Sequence, residues 1–362
     1  MEACKRILSQ ITAKGVYEND RMFDMDIWDW SQGVALYGIW KYYQAVGDRT
    51  YLIWLEQWFE KQFERFPKEE TINTMAPYLT LACLCEYTGK KEYGTYCELA
   101  AQWLTKKLLR TEMYGFQHVT ADSQNEQQLW ADTVFMAVLF LAKYGKLTES
   151  REYMEEAKRQ FLLHICYLSE QKTGLWYHGW SFKRRDHFAG AHWARGNCWF
   201  TIAAVEAMDF LPKKDWVTQW IQEAYKKQAE ALLRLQDESG LWHTLLDYED
   251  SYLEVSGSCG ILYGLLKGIR LGILPETYKE AVYKGLKAAV SYIGEDGIVK
   301  QVSYGTVLAE TLDYYRNVPL SPTGYGQNLM LMLLTEAMYH QEKNQVIERK
   351  SLCLQNKELK KS

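Results

Sequence analysis

Asp132 is the residue of this sequence best placed for acid–base chemistry. It stands in Gln128-Leu129-Trp130-Ala131-Asp132-Thr133-Val134-Phe135-Met136, at the head of an apolar stretch. An aspartate in that place can cap a helix. It can also serve as a general acid. Trp130 before it and Met136 one turn after it would wall the carboxyl off from water and raise its pKa toward what a proton donor needs near neutrality. Residue types alone leave both readings open. The segment Ala191–Phe200 is denser and holds His192, Trp193, Arg195, Asn197 and Trp199. An arginine fork grips a carboxylate at two points, and indoles stack on sugar rings. The alternative is that Arg195 pairs with a structural acid while the tryptophans pack between helices. His118 and His178 follow similar turns, Gly115-Phe116-Gln117 and Gly174-Leu175-Trp176-Tyr177. Both should project from one rim and offer bonds to a carboxylate or to hydroxyls. Glu254, ahead of another apolar stretch, is a further acid or a buried cap.

These residues belong to a repeating pattern. Six stretches open on small or polar residues and continue as apolar helices, starting at Trp30, Asn73, Asp132, Gly196, Ser256 and Gly324. Between them run amphipathic stretches with one charged face, for example those beginning at Tyr93, Glu149 and Asp215. Near-identical turns, Gly174-Leu175-Trp176 and Gly240-Leu241-Trp242, follow two of these. There a glycine ends the helix and a tryptophan plugs the gap. Six helical hairpins, each too small to bury its own face, should close into an (α/α)6 barrel. The pattern predicts one barrel domain over residues 1–342, followed by a polar, lysine-rich tail over 343–362.

Composition narrows the function classes. Apolar residues make up 48% of the 362 and charged residues 24%, a globular balance rather than a disordered one. The net charge of −4 argues against a nucleic-acid partner. Aromatic residues reach 14%, which suits a sugar-binding cleft as well as a core. The eight cysteines show no zinc spacing and are expected to be reduced, buried thiols. No metal site is signalled, and no apolar run is long enough for a membrane span. The start of the chain lacks a secretory apolar region, so the expectation is a cytoplasmic protein.

Taken in order, Trp130-Ala131-Asp132, Gly174-Leu175-Trp176-Tyr177-His178, Trp193-Ala194-Arg195-Gly196-Asn197-Cys198-Trp199 and Gly240-Leu241-Trp242 resemble glycoside hydrolase family 105. These are the unsaturated rhamnogalacturonyl hydrolases, relatives of the family 88 unsaturated glucuronyl hydrolases. The similarity runs from about residue 25 to 340. It implies the same barrel, no cofactor, and a small unsaturated oligosaccharide as substrate. It also implies hydration of a C4=C5 double bond rather than displacement at C1. In that scheme Asp132 matches the acid/base aspartate. Trp130 and Met136 match its walls, and His118, His178, Trp193, Arg195 and Trp199 match residues of the substrate pocket. The stretch between His118 and Asp132 runs a few residues longer here, which would reshape the rim. One departure stands out. Asn73 occupies the place where family members often carry a second aspartate; as a substrate-binding residue its amide can hydrogen-bond a hydroxyl, but it cannot act as a base. Asp132 then works alone, or Asp122 or Glu126 assists.

Two other readings share these features. One is an unsaturated glucuronyl hydrolase acting on glycosaminoglycan or ulvan fragments. The other is a non-catalytic oligosaccharide-binding protein that needs the aromatics and Arg195 but not Asp132. An ordinary two-carboxylate glycosidase is disfavoured, because no second acid has matching context. Monomer and weak homodimer are both compatible with the chain.

Overall fold

The computed structural model describes residues 1–13, 20–66 and 68–340. The polar stretch 343–362 lies outside the described residues, as does Cys353.

Outer and inner helices alternate along the chain. The outer ones are α1 (Glu2–Thr12), α3 (Arg49–Phe63), α5 (Lys91–Gln102), α7 (Arg151–Leu168), α9 (Trp216–Arg234) and α11 (Lys279–Val290). The inner ones are α2 (Trp30–Val46), α4 (Ala76–Thr88), α6 (Leu139–Leu147), α8 (Ala194–Phe210), α10 (Val255–Arg270) and a helix over 324–340. A π-helical turn over Val134–Val138 leads into α6. Burial follows this division. In α8 almost every residue is enclosed, whereas α7 and α9 bury one stripe and expose the other. Side-chain caps start several helices: Asp29 on α2, Ser150 on α7, Asp215 on α9 and Glu254 on α10, each worth ~1 kcal/mol.

Neighbouring inner helices pack in sequence order, and the last returns to the first. Trp30 stacks on Tyr325 with centroids 4.5 Å apart, and the position of Gly38 abuts Asn328. This closes the (α/α)6 barrel. Close approach needs small residues. A Cβ on Gly33 would stand 2.5 Å from Cβ of Ala76, so glycine lets α2 and α4 touch. The centre of the ring is aromatic, with Trp199 set between Trp30 and Phe135. Toward the C-terminal ends of the inner helices, the buried Glu206 accepts hydrogen bonds from Tyr37, Tyr263 and Lys267. A smaller hollow of about 220 Å³ lies at that end, lined by Glu206, Lys41 and Lys143, and a larger one opens at the N-terminal ends.

The Gly-Leu-Trp turns are structural. Gly174 has φ +88°, and a side chain there would meet the Lys227 carbonyl at 2.7 Å. Trp176 stacks on Phe200 at 3.8 Å, and Asn197 holds the turn by bonding both the N–H and the C=O of Trp176. Trp242 is buried, with its indole N–H on the Leu232 carbonyl. Of the cysteines, Cys4, Cys83, Cys97, Cys198 and Cys259 are buried as expected. Cys166 is exposed on the outer helix α7, and Cys85 is half-buried at the end of α4, beside the Lys90 carbonyl and Gly94. Among the described residues no helix is long and apolar enough to cross a membrane.

Candidate active site

A cavity of about 450 Å³ opens at the N-terminal ends of the inner helices, within the ~300–1,000 Å³ usual for small-ligand sites. Its wall includes Asn73, His118, Trp130, Asp132, Met136, Trp193 and Arg195. Seven of the nine residues predicted from sequence therefore meet in one place.

A two-stranded ribbon does much of the positioning. Strand β1 (Gln128–Trp130) pairs antiparallel with β2 (Gly179–Ser181), with Trp130 opposite Gly179. The Ala131 N–H donates to the His178 carbonyl at 2.9 Å, and the His118 N–H donates to the Gln128 carbonyl at 3.1 Å. The two histidines thus flank the strand that delivers Asp132. His118 stacks on Trp130 with centroids 4.3 Å apart, and His178 meets the same indole edge-on at 5.6 Å.

Asp132 does not cap its helix. Its backbone carbonyl accepts from Phe135 and Met136, yet no backbone N–H is bonded to its carboxylate among the described residues. Asp29 and Glu254, by contrast, bond helix N–H groups directly. Instead Oδ2 of Asp132 lies 3.3 Å from Nε2 of His178, within ion-pair distance, and neither buried atom makes a hydrogen bond to another group among the described residues or, in this geometry, to the other. The side chain keeps 15% of its surface, open to the cavity. The expected rise in its pKa is not found. Burial pushes the carboxyl up, but the neighbouring His178, with His118 and Arg195 nearby, outweighs it and holds the carboxyl below its ordinary value.

A sequence model of Glycosyl Hydrolase Family 88 matches residues 1–341. The chain belongs to that family. The unsaturated rhamnogalacturonyl hydrolase YesR of Bacillus subtilis (strain 168) is 36% identical over 325 residues, 88% of this chain and 92% of that protein. A crystal structure described as a possible member of the GH105 family from Salmonella enterica serovar Paratyphi A is similar at a TM-score of 0.89. It is 38% identical and covers 94% of this chain and 93% of its own. The unsaturated glucuronyl hydrolase of Bacillus sp. GL1 shares the fold at a TM-score of 0.68 and 19% identity, over 85% and 86% of the two chains. The family 88 chain is thus a glycoside hydrolase, and the resemblance read in its motifs holds.

Several site residues of this family 88 enzyme sit differently from expectation. His178 and Trp199 are not part of the cavity wall. His178 stands behind Asp132. Trp199 lies one helical turn beyond Arg195 on α8, where that face of the helix points into the barrel core. Arg195 lines the cavity but is fully enclosed. Its guanidinium lies between the Trp193 and Tyr325 rings at 4.5 and 4.8 Å. It donates to Ser256 Oγ at 3.2 Å, the Ser303 carbonyl at 2.9 Å, Ser303 Oγ, the Tyr304 carbonyl at 3.4 Å and Thr306 Oγ1 at 3.0 Å. Most of its donors hold the strap 303–306 in place, and only Nε lacks a partner. Glu254 is a cap: it accepts from the N–H groups of Ser256, Gly257 and Ser303, and lies 3.9 Å from Arg195. His192 points away, bonding Asp247 at 2.9 Å beside a different hollow. Glu126 pairs with Lys183 outside the cavity. Asp122 reaches its rim but is largely exposed.

Sequence reasoning missed Arg21, Trp30 and the strap residues Tyr304 to Leu308, all of which line the cavity. Arg21 is the cation that the described wall leaves part-exposed. It bonds Asp29 at 2.8 Å and Asp122 at 3.1 Å, tying the long loop after His118 to the start of α2. No motif marks it. Its role follows only from the closing of the barrel.

His118 is a neutral wall. Burial lowers its pKa to about 3, although Asp132 pulls the other way, and Nδ1 is 2.8 Å from Thr133 Oγ1. It cannot offset a ligand's charge at neutral pH. The unfolded chain takes up this proton near the ordinary value of 6.5 and the folded chain only near 3. Stability therefore falls as pH drops through that window, because the unfolded state binds the extra proton. In an imidazole NMR titration the His118 ring resonances should stay constant from about pH 5 to 8, the range in which a free histidine titrates. A midpoint inside that range would show that the ring reaches water.

Proposed function

We propose that this family 88 enzyme removes the terminal 4,5-unsaturated galacturonic acid from lyase-generated rhamnogalacturonan oligosaccharides, with Asp132 as general acid and base. The observation that carries this reading is the Asp132 carboxylate. It heads an inner helix without capping it, opens onto the cavity, and is backed by a histidine. Further support comes from the similarity to YesR over most of both chains. We take residues 1–342 to act as one catalytic unit.

The chemistry is that of a vinyl ether. Protonated Asp132 gives its proton to C4, and positive charge develops at C5, shared with the ring oxygen. Water adds at C5 and returns a proton to the Asp132 carboxylate. The resulting hemiketal opens to a ketone at C5. C1 is then a hemiacetal and releases the leaving sugar as an alcohol, so one water is consumed. In the free enzyme Asp132 is held in its charged form. A uronate carboxylate entering the same cavity repels that charge and raises the pKa, so the donor forms as the substrate seats. Asn73, His118 and Arg21 supply hydrogen bonds around the ring, and Trp130, Met136 and Trp193 supply the apolar walls. A second carboxylate is not required, since one group gives a proton to C4 and is reprotonated by the water that adds at C5.

The test follows the ultraviolet absorbance of the conjugated uronate. It should disappear when the protein meets an unsaturated rhamnogalacturonan disaccharide. Loss only with a glucuronyl-terminated fragment would reassign the substrate. No loss with any unsaturated uronide would remove the hydration reading.

A further inference from the structure

Tyr315 has no part in the chemistry so far, yet it is joined to the acid through one residue. It lies on the short helix α12 (Leu312–Arg316), at the end of the strap that borders the cavity. It is fully buried and packs with Ala191, Trp193, Leu245 and Ala309. Its hydroxyl oxygen accepts the Ala309 N–H at 3.2 Å and stands 2.7 Å from Nδ1 of His178. Burial pushes the phenol above its ordinary pKa, so it keeps its proton.

That proton has one acceptor within reach among the described residues, Nδ1 of His178. A ring nitrogen that accepts a hydrogen bond carries no hydrogen, so the N–H of a neutral imidazole must sit on Nε2. Nε2 is the atom 3.3 Å from Oδ2 of Asp132. The opposite tautomer would leave the buried Tyr315 proton without an acceptor. It would also turn a nitrogen lone pair toward a carboxylate oxygen.

We propose that Tyr315 is a positioning residue for the reaction: by donating to Nδ1 of His178 it keeps the Nε2–H aimed at Asp132. This rests on the acid/base reading of Asp132. The Nε2–H then stands beside Oδ2, 3.3 Å away on the inner side, and leaves the other carboxylate oxygen to exchange a proton with the substrate. The groups that face Asp132 are His178 on the ribbon, His118 on the preceding loop and Arg195 on α8. Glu310 lies on the strap at the cavity wall and Tyr315 behind His178. Of these, Tyr315 acts only through His178.

Tyr315→Phe keeps the ring and removes both bonds. The expected result is a kcat lowered roughly 10- to 100-fold, by analogy with the loss when the orienting partner of a metal-bound histidine is removed, with KM nearly unchanged. Without its N–H donor, Asp132 is protonated more easily, so the kcat/KM profile should shift toward higher pH. The decisive readout needs no substrate. In 15N spectra of histidine-labelled protein, with His178 assigned by its absence in His178→Gln, the wild type should show Nε2–H and an accepting Nδ1. Tyr315→Phe should move the ring toward the other tautomer. A wild-type spectrum with Nδ1–H on His178 would overturn the proposal even where the variant folds poorly. So would a Tyr315→Phe enzyme with unchanged tautomer and pH profile. Full turnover by Asp132→Asn would instead remove the acid/base reading, and the role with it, whatever the tautomer.

Discussion

Asp132→Asn is expected to slow the disappearance of the unsaturated uronate by ~100- to 10,000-fold, the range lost when a general acid is removed. Binding of the disaccharide should survive. The substitution preserves shape and leaves an oxygen that can face Nε2 of His178. It removes only the proton that C4 must receive and the base that water must meet. The side chain caps no helix N–H, so the fold loses no cap. Turnover measured by absorbance and binding measured by calorimetry would separate the two roles of the cavity. A variant that still turns over would place the acid elsewhere. A wild type that binds but never consumes the double bond would match the non-catalytic reading of the same cavity.

The second large effect is one of stability. Arg195→Met should lower the unfolding free energy by ~3–5 kcal/mol, the cost of removing one member of a buried charge pair. The guanidinium is fully enclosed, faces Glu254 at 3.9 Å, and donates to Ser256, Ser303, Tyr304 and Thr306. Methionine fills the space between Trp193 and Tyr325 but supplies no donor. The strap 303–306 would then lose its anchor, and the cavity wall from Tyr304 to Leu308 with it. Urea unfolding checks the first effect. A variant as stable as the parent, with only a raised KM, would show that Arg195 works mainly on the ligand.

Much of the architecture could be read directly from the chain. Six apolar helix starts were expected at Trp30, Asn73, Asp132, Gly196, Ser256 and Gly324, and the inner helices begin within a few residues of each. Enclosed helices are apolar all round and outer ones on one side only, so burial leaves its mark on every turn. The Gly-Leu-Trp turns were legible in part: Gly174 and Gly240 take the positive φ expected, but they do not end the helices, since α7 stops at Leu168 and α9 at Arg234. Asp132, Trp130, Met136, Trp193 and His118 could be placed at the cavity because they sit at helix starts or on the turns of one rim.

Order along one chain says nothing about which polar groups already satisfy one another, and there the tertiary structure decided. Arg195 was open between a substrate carboxylate and a structural acid; folding sets it 3.9 Å from Glu254 and spends most of its donors on the strap, more than 100 residues later in the chain. His178 was expected at the substrate, but the ribbon turns it to the back of Asp132. Burial of Asp132 was expected to raise its pKa. That inference counted the Trp and Met beside it in sequence and not the His178 brought beside it in space. Arg21 and Tyr315 carry no motif, since each acquires its partners only when distant segments meet. Helical periodicity is a local property that each stretch encodes for itself. Charge, tautomer and hydrogen-bond partnership belong to pairs, and the pairs exist only once the ring has closed.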